Sequence, residues 1–432
     1  MTMVNAFDPS NTAGFAAEEA ALIERRRRVL GPAYRLFYAH PVHVVRGEGV
    51  WLYGPDDTAY LDAYNNVASV GHCHPHVVAA LARQAGTLNT HTRYVTDGIL
   101  DYAERLVATM PAEIANIMFT CTGSEANDLA LRVAKAATGG TGVIVTQNAY
   151  HGVTDVLAHM SPSLGAGAPI GETVRVVPAP TSADTSGEAF AQGVKAAIAD
   201  MATHSIRPSA LLVDTIFSSD GVFTDPPGFL RPAVEAIRAA GGLFIADEVQ
   251  PGFGRTGAGM WGFARHDLVP DLVTMGKPMG DGHPMAAMAA RPEHLEAFGR
   301  EVRYFNTFGG NPVSCAVGMA VLDVIENESL IANARDVGAG LKSGLEDLAA
   351  RDGRIGEVRG AGLFIGADIV DAKGAPDAVA AAAIVNGLRE RQVLISATGL
   401  HGHSLKIRPP MVFSHENAAL LIERLKATLV SL

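Results

Sequence analysis

The feature that most constrains the fold of this chain is the alternation of short apolar runs with helix-like stretches between residues 117 and 275. Six runs have the length and composition of buried strands: 117–120, 142–146, 174–177, 210–214, 243–246 and 272–275. Helix-like segments lie between them: 125–137, 188–203 and 230–240. Alternation of this kind predicts an α/β fold with a mostly parallel central sheet.

The pattern changes at about residue 314, where a long helix is followed by short strands within 355–369 and by helix again. This order predicts a smaller α+β domain at the C-terminus. We therefore expect three parts: an N-terminal segment, 1–60, that packs with the small domain, a large ligand-binding domain, 61–313, and the small domain, 314–432.

Composition argues against several classes of protein. The 34 basic and 45 acidic residues give a net charge of −11, which disfavours a nucleic-acid-binding surface. No run approaches the ~18 apolar residues of a membrane span, and the N-terminus lacks the pattern of a signal peptide. Three widely spaced cysteines, an odd number, favour a reducing compartment. We expect a cytoplasmic protein without nucleic-acid or membrane partners.

Ligands of a mostly parallel sheet bind at the carboxyl ends of its strands, where several polar residues stand. Thr122-Gly123-Ser124 lies between a strand and a helix, and its free N–H groups, hydroxyl and helix dipole predict a phosphate site. A simple Ser N-cap is the alternative. Asp247 ends an apolar strand and needs a cationic partner, unless it only caps a turn. Tyr150 could cover a flat ligand or pack in the core.

Lys277 stands among small, turn-prone residues directly after an apolar run, in T-M-G-K-P-M-G-D-G-H-P. A surface lysine normally keeps its ammonium group hydrated beside other polar residues. Here Gly276, Gly280 and Gly282 let the backbone approach a bound molecule, and Pro278 disfavours an ordinary helix. Burial lowers the pKa of a lysine, so Lys277 is a candidate nucleophilic amine.

Together these residues supply the four parts that hold pyridoxal 5′-phosphate: a phosphate cradle, an acid for the ring nitrogen, an aromatic platform and a desolvated lysine. The sequence therefore predicts an enzyme in which Lys277 carries the cofactor as a Schiff base. Asp247 would keep the ring nitrogen protonated, and Lys277, once released, would act as the base. We expect no metal, because the run H-C-H-P-H at 72–76 is too closely spaced to surround one tetrahedral ion.

From about Pro41 to the C-terminus the chain resembles the class III aminotransferases of the fold type I pyridoxal-phosphate enzymes. The resemblance rests on five motifs in the family's order: T-G-S-E-A-N-D, A-Y-H-G, A-D-E-V-Q-P-G-F-G-R-T-G, G-K-P-M-G-D-G-H-P and F-N-T-F-G-G-N-P. It implies a large domain with a mostly parallel sheet, a smaller α+β domain, and a homodimer with shared active sites, which pairs in some cases into tetramers.

The resemblance also implies roles in the cofactor site. Tyr150, with His151 beside it, would stack on the ring, and Thr307 would reach the phosphate bound by the neighbouring subunit. The other implied contacts are Gly123 and Ser124 to the phosphate, Asp247 to the ring nitrogen, Val249 to the second ring face, Gln250 to the phenolic oxygen, and Lys277 to the aldehyde carbon.

Two positions depart from the pattern of ordinary aminotransferases. Many of those enzymes bind a keto acid's carboxylate with an arginine in a C-terminal strand, but Lys406 stands at that position here and Arg408 follows two residues later. Many also carry Glu-Pro where this chain has Asp214-Thr215. A lysine lacks the planar grip of arginine on a carboxylate but binds a phosphate as a point charge.

The segments N-N-V-A-S-V-G-H-C-H-P, L-N-T-H-T-R-Y and L-K-I-R-P-P-M resemble a branch that contains phospho-lyases of O-phosphoethanolamine or 5-phosphohydroxylysine and alanine-glyoxylate aminotransferase-like proteins. We favour a phospho-lyase that acts on a small primary amine. The alternative is an aminotransferase that moves nitrogen from an amine or ω-amino acid to pyruvate or glyoxylate. Candidate substrate contacts are Tyr34, Arg35, Lys406 and Arg408, for which ion pairing and packing are the alternative roles.

Overall fold

A computed structural model describes residues 5–11 and 14–432. The helices in this part of the chain are α1 (Ala17–Leu30), α2 (Pro75–Ala85), α3 (Asp97–Val107), α4 (Gly123–Thr138), α5 (Asp155–Ala158), α6 (Glu188–Thr203), α7 (Arg231–Ala239), α8 (Pro292–Glu301), α9 (Pro312–Asn327), α10 (Leu330–Ala349), α11 (Ala378–Glu390) and α12 (His415–Ser431). Within the described residues, none of them is both long and apolar enough to cross a membrane.

The strands form three sheets. They are β1 (Arg46–Glu48), β2 (Trp51–Tyr53), β3 (Ala59–Asp62), β4 (Asn116–Thr120), β5 (Gly142–Thr146), β6 (Val174–Val177), β7 (Pro208–Asp214), β8 (Leu243–Asp247), β9 (Leu272–Met275), β10 (Ala286–Ala290), β11 (Ile355–Ala361), β12 (Phe364–Ile369), β13 (Val393–Leu394), β14 (Ser396–Thr398) and β15 (Ser404–Ile407). The six predicted strands and three predicted helices are all present, with ends within two residues of those expected.

The central sheet has seven strands in the order β4-β10-β9-β8-β7-β5-β6. Pairs among β5 to β9 are parallel, and β10 runs antiparallel to both of its neighbours. The predicted α/β fold with a mostly parallel sheet is therefore confirmed. Strand β10 was not predicted because its sequence, A-A-M-A-A, lacks the β-branched and aromatic residues that favour strands.

The inner strands of this sheet are mostly apolar because helices cover both of its faces. Leu211 and Val213 of β7 belong to one core, which also holds residues of α6 and α7. Ala210 and Leu212 point the other way, into a core that holds residues of α4 and α8. Alternate residues of each strand are thus buried on opposite faces, which produces the continuous apolar runs of the sequence.

The C-terminal part has its own core, built on the antiparallel sheet β11-β12-β15-β14 and on helices α10, α11 and α12. The N-terminal strands join it, since β3 pairs in parallel with β13 through Leu61 and Val393. This packing supports the expected association of the N-terminal segment with the small domain. Helix α9 packs in the large core. The change of core therefore falls near residue 334, and the domain limits at 60 and 313 stay a prediction.

Two glycines of α10 provide a test of how closely this helix approaches the β11–β12 turn. A Cβ atom on Gly338 would lie 2.1 Å from the backbone oxygen of Gly362, whereas one on Gly340 would meet only the His415 side chain, at 3.6 Å. We expect Gly338→Ala to destabilise the fold by about 1–3 kcal/mol. The matched change Gly340→Ala should stabilise it by about 0.5–1 kcal/mol, because alanine favours helix.

Thermal unfolding, followed by circular dichroism at a fixed scan rate, measures both changes. A lower midpoint for Gly338→Ala together with an equal or higher midpoint for Gly340→Ala is the expected result. Equal midpoints for the two variants would contradict the close approach of α10 to the turn.

Candidate active site

A cavity of about 290 Å³ opens at the carboxyl ends of the central strands. Eight of the nine residues predicted to bind the cofactor line it: Gly123, Ser124, Tyr150, His151, Asp247, Val249, Gln250 and Lys277. They come from segments that are far apart in the sequence and meet because each follows a strand of the same sheet. The ninth residue, Thr307, does not line this cavity and is exposed on the protomer.

The first turn of α4 forms one end of the cavity. Thr122 is the N-cap: its hydroxyl accepts from the amide of Glu125 at 3.1 Å, and the Glu125 carboxylate accepts from the amide of Thr122 at 2.9 Å. Ser124 is therefore not the cap. In the described part of the chain, the amides of Gly123 and Ser124 have no hydrogen-bond acceptor. Two free N–H groups at a helix N-terminus fit a phosphate.

Two residues at this end of the cavity are packed so closely that only glycine fits. A Cβ atom on Gly123 would lie 2.9 Å from Val249 Cγ2. Gly152 has a φ of +145°, and a Cβ atom there would lie 2.6 Å from Ser124 Oγ. A side chain at Gly123 would collide with Val249, and one at Gly152 would collide with Ser124 beside the free amides. The residues present therefore fit the phosphate group of pyridoxal 5′-phosphate.

Asp247 lies at the end of β8 and is only 4% exposed. Its carboxylate accepts from Asn127 Nδ2 at 2.9 Å and from the Val249 amide at 3.1 Å, and His151 Nδ1 is 2.8 Å from it. Thr274 donates to the Asn127 amide oxygen at 2.6 Å, which fixes the orientation of that amide. The carboxylate is thus held rigidly in the cavity wall, as a partner for a protonated ring nitrogen must be.

Asn127 was not among the predicted site residues, although this residue lies in the T-G-S-E-A-N-D motif. A signal was present, because Asn127 is a polar residue on the face of α4 that carries Ala126, Ala130 and Val133 into the core. His151 was expected to contact the cofactor. The structure places its Nδ1 against Asp247, and its Nε2 is buried without a partner among the described residues.

Lys277 begins a 3₁₀ turn, Lys277–Gly280, directly after β9. Its φ is +33°, a backbone conformation that residues other than glycine rarely adopt. Burial, and then the positive charge of Arg408, lower the pKa of the Lys277 amine to about 8, while the carboxylates of Asp247 and Asp214 oppose this shift. A substantial fraction of the amine is therefore neutral near physiological pH, as a nucleophile or base requires.

Lys406 and Arg408 are two buried basic side chains beside the cavity, each 7% exposed. Arg408 donates to the side-chain oxygen of Gln250, and its guanidinium lies 4.5 Å from the centre of the Tyr64 ring. The Lys406 ammonium lies 5.5 Å from the centre of the Phe364 ring, and burial together with Arg408 holds its pKa well below the ordinary value. Among the described residues, neither side chain forms a salt bridge with a carboxylate.

Asp214 adds a second carboxylate to the cavity wall. It lies opposite Asp247 in the register of β7 and β8, and its carboxylate accepts hydrogen bonds from the amides of Ile216 and Ser218, each at 3.0 Å. Burial raises its pKa, in spite of these hydrogen bonds. Asp214 therefore places negative charge near Lys277 and Lys406 without pairing directly with either.

The remaining candidate substrate contacts, Tyr34 and Arg35, lie on the exposed N-terminal segment and do not line the cavity of their own protomer. Their role stays a prediction. The histidines of the H-C-H-P-H run contact three different carboxylates: His72 with Asp62 at 2.7 Å, His74 with Glu328 at 3.0 Å and His76 with Asp323 at 2.9 Å.

Known proteins resemble this chain over nearly its whole length. The family model described as Aminotransferase class-III matches residues 37–429. The structure of a phospholyase from Arthrobacter in complex with phosphoethanolamine has a TM-score of 0.92 and 43% sequence identity, over 95% of this chain and 100% of that one.

Two curated relatives differ in the reaction that their names give. A Drosophila melanogaster protein named alanine–glyoxylate aminotransferase 2-like is 39% identical over 92% of this chain and 84% of its own. A Caenorhabditis elegans protein named ethanolamine-phosphate phospho-lyase homolog 1 is 36% identical over 96% of both chains. The names of the relatives therefore include both reactions.

The environment of Lys277 makes its reactivity depend on pH in a specific way. The second-order rate constant for the reaction of cofactor-free protein with pyridoxal phosphate should rise with pH and level off above about pH 8. An ordinary lysine, whose pKa is about 10.4, would show a continuing rise beyond that pH. The measurement is stopped-flow absorbance across a pH series.

Arg408→Met should move this midpoint to higher pH, because it removes a positive charge that disfavours protonation of Lys277. The matched control is Arg335→Met on the exposed face of α10, which should leave the midpoint in place. A midpoint that is the same in both variants would show that Arg408 does not act on the Lys277 amine.

Proposed function

Because the chain belongs to the class III aminotransferase family, a family of pyridoxal-phosphate enzymes, we propose that it is a phospho-lyase of O-phosphoethanolamine or a similar small phosphorylated amine. The observation that carries this proposal is the pair of buried basic side chains, Lys406 and Arg408, which lack a carboxylate partner in the described part of the chain. Similarity to the Arthrobacter phospholyase supports it.

A buried cation is costly unless an anion or strong acceptors compensate its charge. Arg408 has one such acceptor, the oxygen of Gln250, and its Nε has no partner among the described residues. Burial and Arg408 disfavour the charged form of Lys406, whereas an anion bound beside both groups would favour it, so a doubly charged ligand fits the pair. A phosphate monoester, with a charge of about −1.5 to −2 and three acceptor oxygens, meets that requirement.

When bound, pyridoxal phosphate supplies a carbonyl that condenses with amines and a ring that accepts the electron pair left by a departing proton. The amides of Gly123 and Ser124 would hold its phosphate, and Asp247 would keep its ring nitrogen protonated. Tyr150 and Val249, both in the cavity wall, would cover the ring, and Gln250 would reach its phenolic oxygen. Lys277 is the amine to which the cofactor would be attached.

Lys277, displaced by the substrate amine, would take the proton from the carbon that carries the nitrogen. The bond between the next carbon and the phosphate oxygen then breaks, and Lys406 and Arg408 stabilise the departing phosphate. Addition of water then releases the remaining part of the substrate as an aldehyde and ammonia. For O-phosphoethanolamine, one water is consumed, and acetaldehyde, ammonia and phosphate are formed in equal amounts. This reaction needs no keto acid.

The second candidate is an aminotransferase that acts on an amine or ω-amino acid with pyruvate or glyoxylate as acceptor. The 39% identity with the Drosophila relative named an alanine–glyoxylate aminotransferase 2-like protein favours it. It would require Lys406, which stands where many aminotransferases carry an arginine, to bind a keto acid's carboxylate without the planar two-point contact of a guanidinium. The proposal therefore favours the phospho-lyase.

The proposed enzyme is a homodimer in which Thr307 of one subunit binds the cofactor phosphate of the other. Exposed apolar side chains next to Thr307 support this arrangement: Phe308 is 68% exposed, and Tyr94 and Val95 of a second segment are 65% and 93% exposed. His91 and Arg93 contact the Phe305 ring, so the two segments form one continuous surface. A cytoplasmic location is also proposed, supported by the three unpaired cysteines.

The proposed reaction is tested by incubation of the cofactor-loaded protein with O-phosphoethanolamine in the absence of any keto acid. We expect phosphate, acetaldehyde and ammonia in equal amounts over many turnovers. Lys277→Ala should abolish the release of all three. Amino transfer that appears only after pyruvate or glyoxylate is added, with no release of phosphate, would instead establish the aminotransferase.

The role of Lys406 is tested by Lys406→Met, which keeps an unbranched side chain one atom shorter and removes the amine. We expect KM for O-phosphoethanolamine to rise about tenfold or more, with a smaller effect on kcat, because a charge-assisted contact to phosphate is lost. Lys406→Arg restores a cation and should recover part of the affinity. An unchanged KM in Lys406→Met, with normal folding, would remove Lys406 from the phosphate site.

A further inference from the structure

His283 lines the cavity six residues after Lys277, and nothing in the proposed reaction uses it. Its Nε2 lies 2.9 Å from the hydroxyl of Ser314, in the first turn of α9. Ser314 is only 2% exposed. In the described part of the chain, the other ring nitrogen of His283, Nδ1, has no hydrogen-bond partner. The Nε2 atom of His283 is thus hydrogen-bonded within the protein, and the Nδ1 atom is available to a ligand.

The hydrogen bonds around Ser314 determine which nitrogen carries the ring hydrogen. Asn311 accepts from the Ser314 amide at 2.9 Å through its side-chain oxygen, so its Nδ2 must be the donor to the Phe308 carbonyl and to Ser314 Oγ, at 2.6 and 2.8 Å. The Ser314 hydroxyl accepts from Asn311, and among the described residues His283 Nε2 is the one acceptor within reach of its hydrogen. Nδ1 of His283 therefore carries the hydrogen and is a donor.

The part of the cavity near His283 is suited to an anion. Burial lowers the pKa of His283, so the ring is neutral at physiological pH and acts as a donor without adding a charge. The Lys277 turn, which leads to His283, adjoins the first turn of α4: a Cβ atom on Gly276 would lie 3.3 Å from the Gly123 amide nitrogen. His283 and the free amides of α4 thus line one cavity.

We propose that Nδ1–H of His283 donates a hydrogen bond to a phosphate group in this cavity, and that Asn311 and Ser314 act as positioning residues that keep the ring in the required tautomer. The phosphate belongs either to the cofactor or to the substrate. The substrate source rests on the proposed phospho-lyase function, whereas the cofactor source depends only on membership of the family.

Two amide substitutions separate the roles of the ring nitrogens. His283→Asn places an amide N–H near the position of Nδ1. His283→Gln places its amide near Nε2, where it keeps the contact with Ser314 but leaves no donor at the Nδ1 position. We expect phosphate affinity to fall about tenfold or more in the Gln variant and to remain within a few-fold of the natural protein in the Asn variant. A role limited to packing would not produce this difference.

Three dissociation constants are measured for each variant. Those of pyridoxal phosphate and of pyridoxal, which lacks the phosphate, are determined on cofactor-free protein by equilibrium dialysis. That of inorganic phosphate is determined on the cofactor-loaded protein by its effect on the absorbance near ~410 nm. Weaker binding of pyridoxal phosphate, but not of pyridoxal, in the Gln variant would assign His283 to the cofactor's phosphate.

Weaker binding of inorganic phosphate alone in the Gln variant would assign His283 to the substrate's phosphate. Equal constants in the natural protein and both variants, or equal losses in Asn and Gln, would overturn the proposal. None of these measurements requires turnover. Failure of the O-phosphoethanolamine assay would therefore refute the phospho-lyase function without deciding the role of His283.

Discussion

The organisation of this protein depends on one constraint: a carboxylate, Asp247, is buried at the end of a strand that is covered on both faces. Its charge must be balanced by hydrogen-bond donors and by a cation. The fold supplies donors from Asn127 and the Val249 amide, and a third contact from His151. No lysine or arginine side chain is within salt-bridge distance of Asp247 among the described residues. We propose that the protonated pyridine nitrogen of the cofactor is its cationic partner.

The same burial governs the basic groups of the site. Lys277, Lys406 and Arg408 lie close enough that each disfavours protonation of its lysine neighbours, and burial adds to this effect. The consequence for Lys277 is an amine that is partly neutral at physiological pH. The consequence for Lys406 is an amine whose charged form is disfavoured until an anion binds beside it and Arg408, as the phosphate of the proposed substrate would. The proposed nucleophile, Lys277, and the proposed anion site at Lys406 and Arg408 thus depend on the same group of buried side chains.

Much of the fold and of the cofactor site could be predicted from sequence because the signals are local. Parallel strands covered on both faces produce apolar runs, so the strands before Asp247 and Lys277 were placed within one residue of their observed ends. A glycine and a serine after one strand predicted the phosphate cradle. By contrast, β10 was missed because five small or unbranched residues form a strand only when two neighbours, β4 and β9, offer hydrogen-bonding edges.

By itself the sequence determined the alternation of strands and helices and the identity of the family, and it predicted which lysine, acid and glycines would form the cofactor site. Each follows from a short stretch whose residue types restrict its backbone or its burial. Only the tertiary structure decided that Asn127 holds Asp247, 120 residues away, that Arg408 contacts Gln250, and that His283 contacts Ser314. These contacts join side chains from different elements. They therefore form only after packing has brought donor and acceptor within about 3 Å of each other.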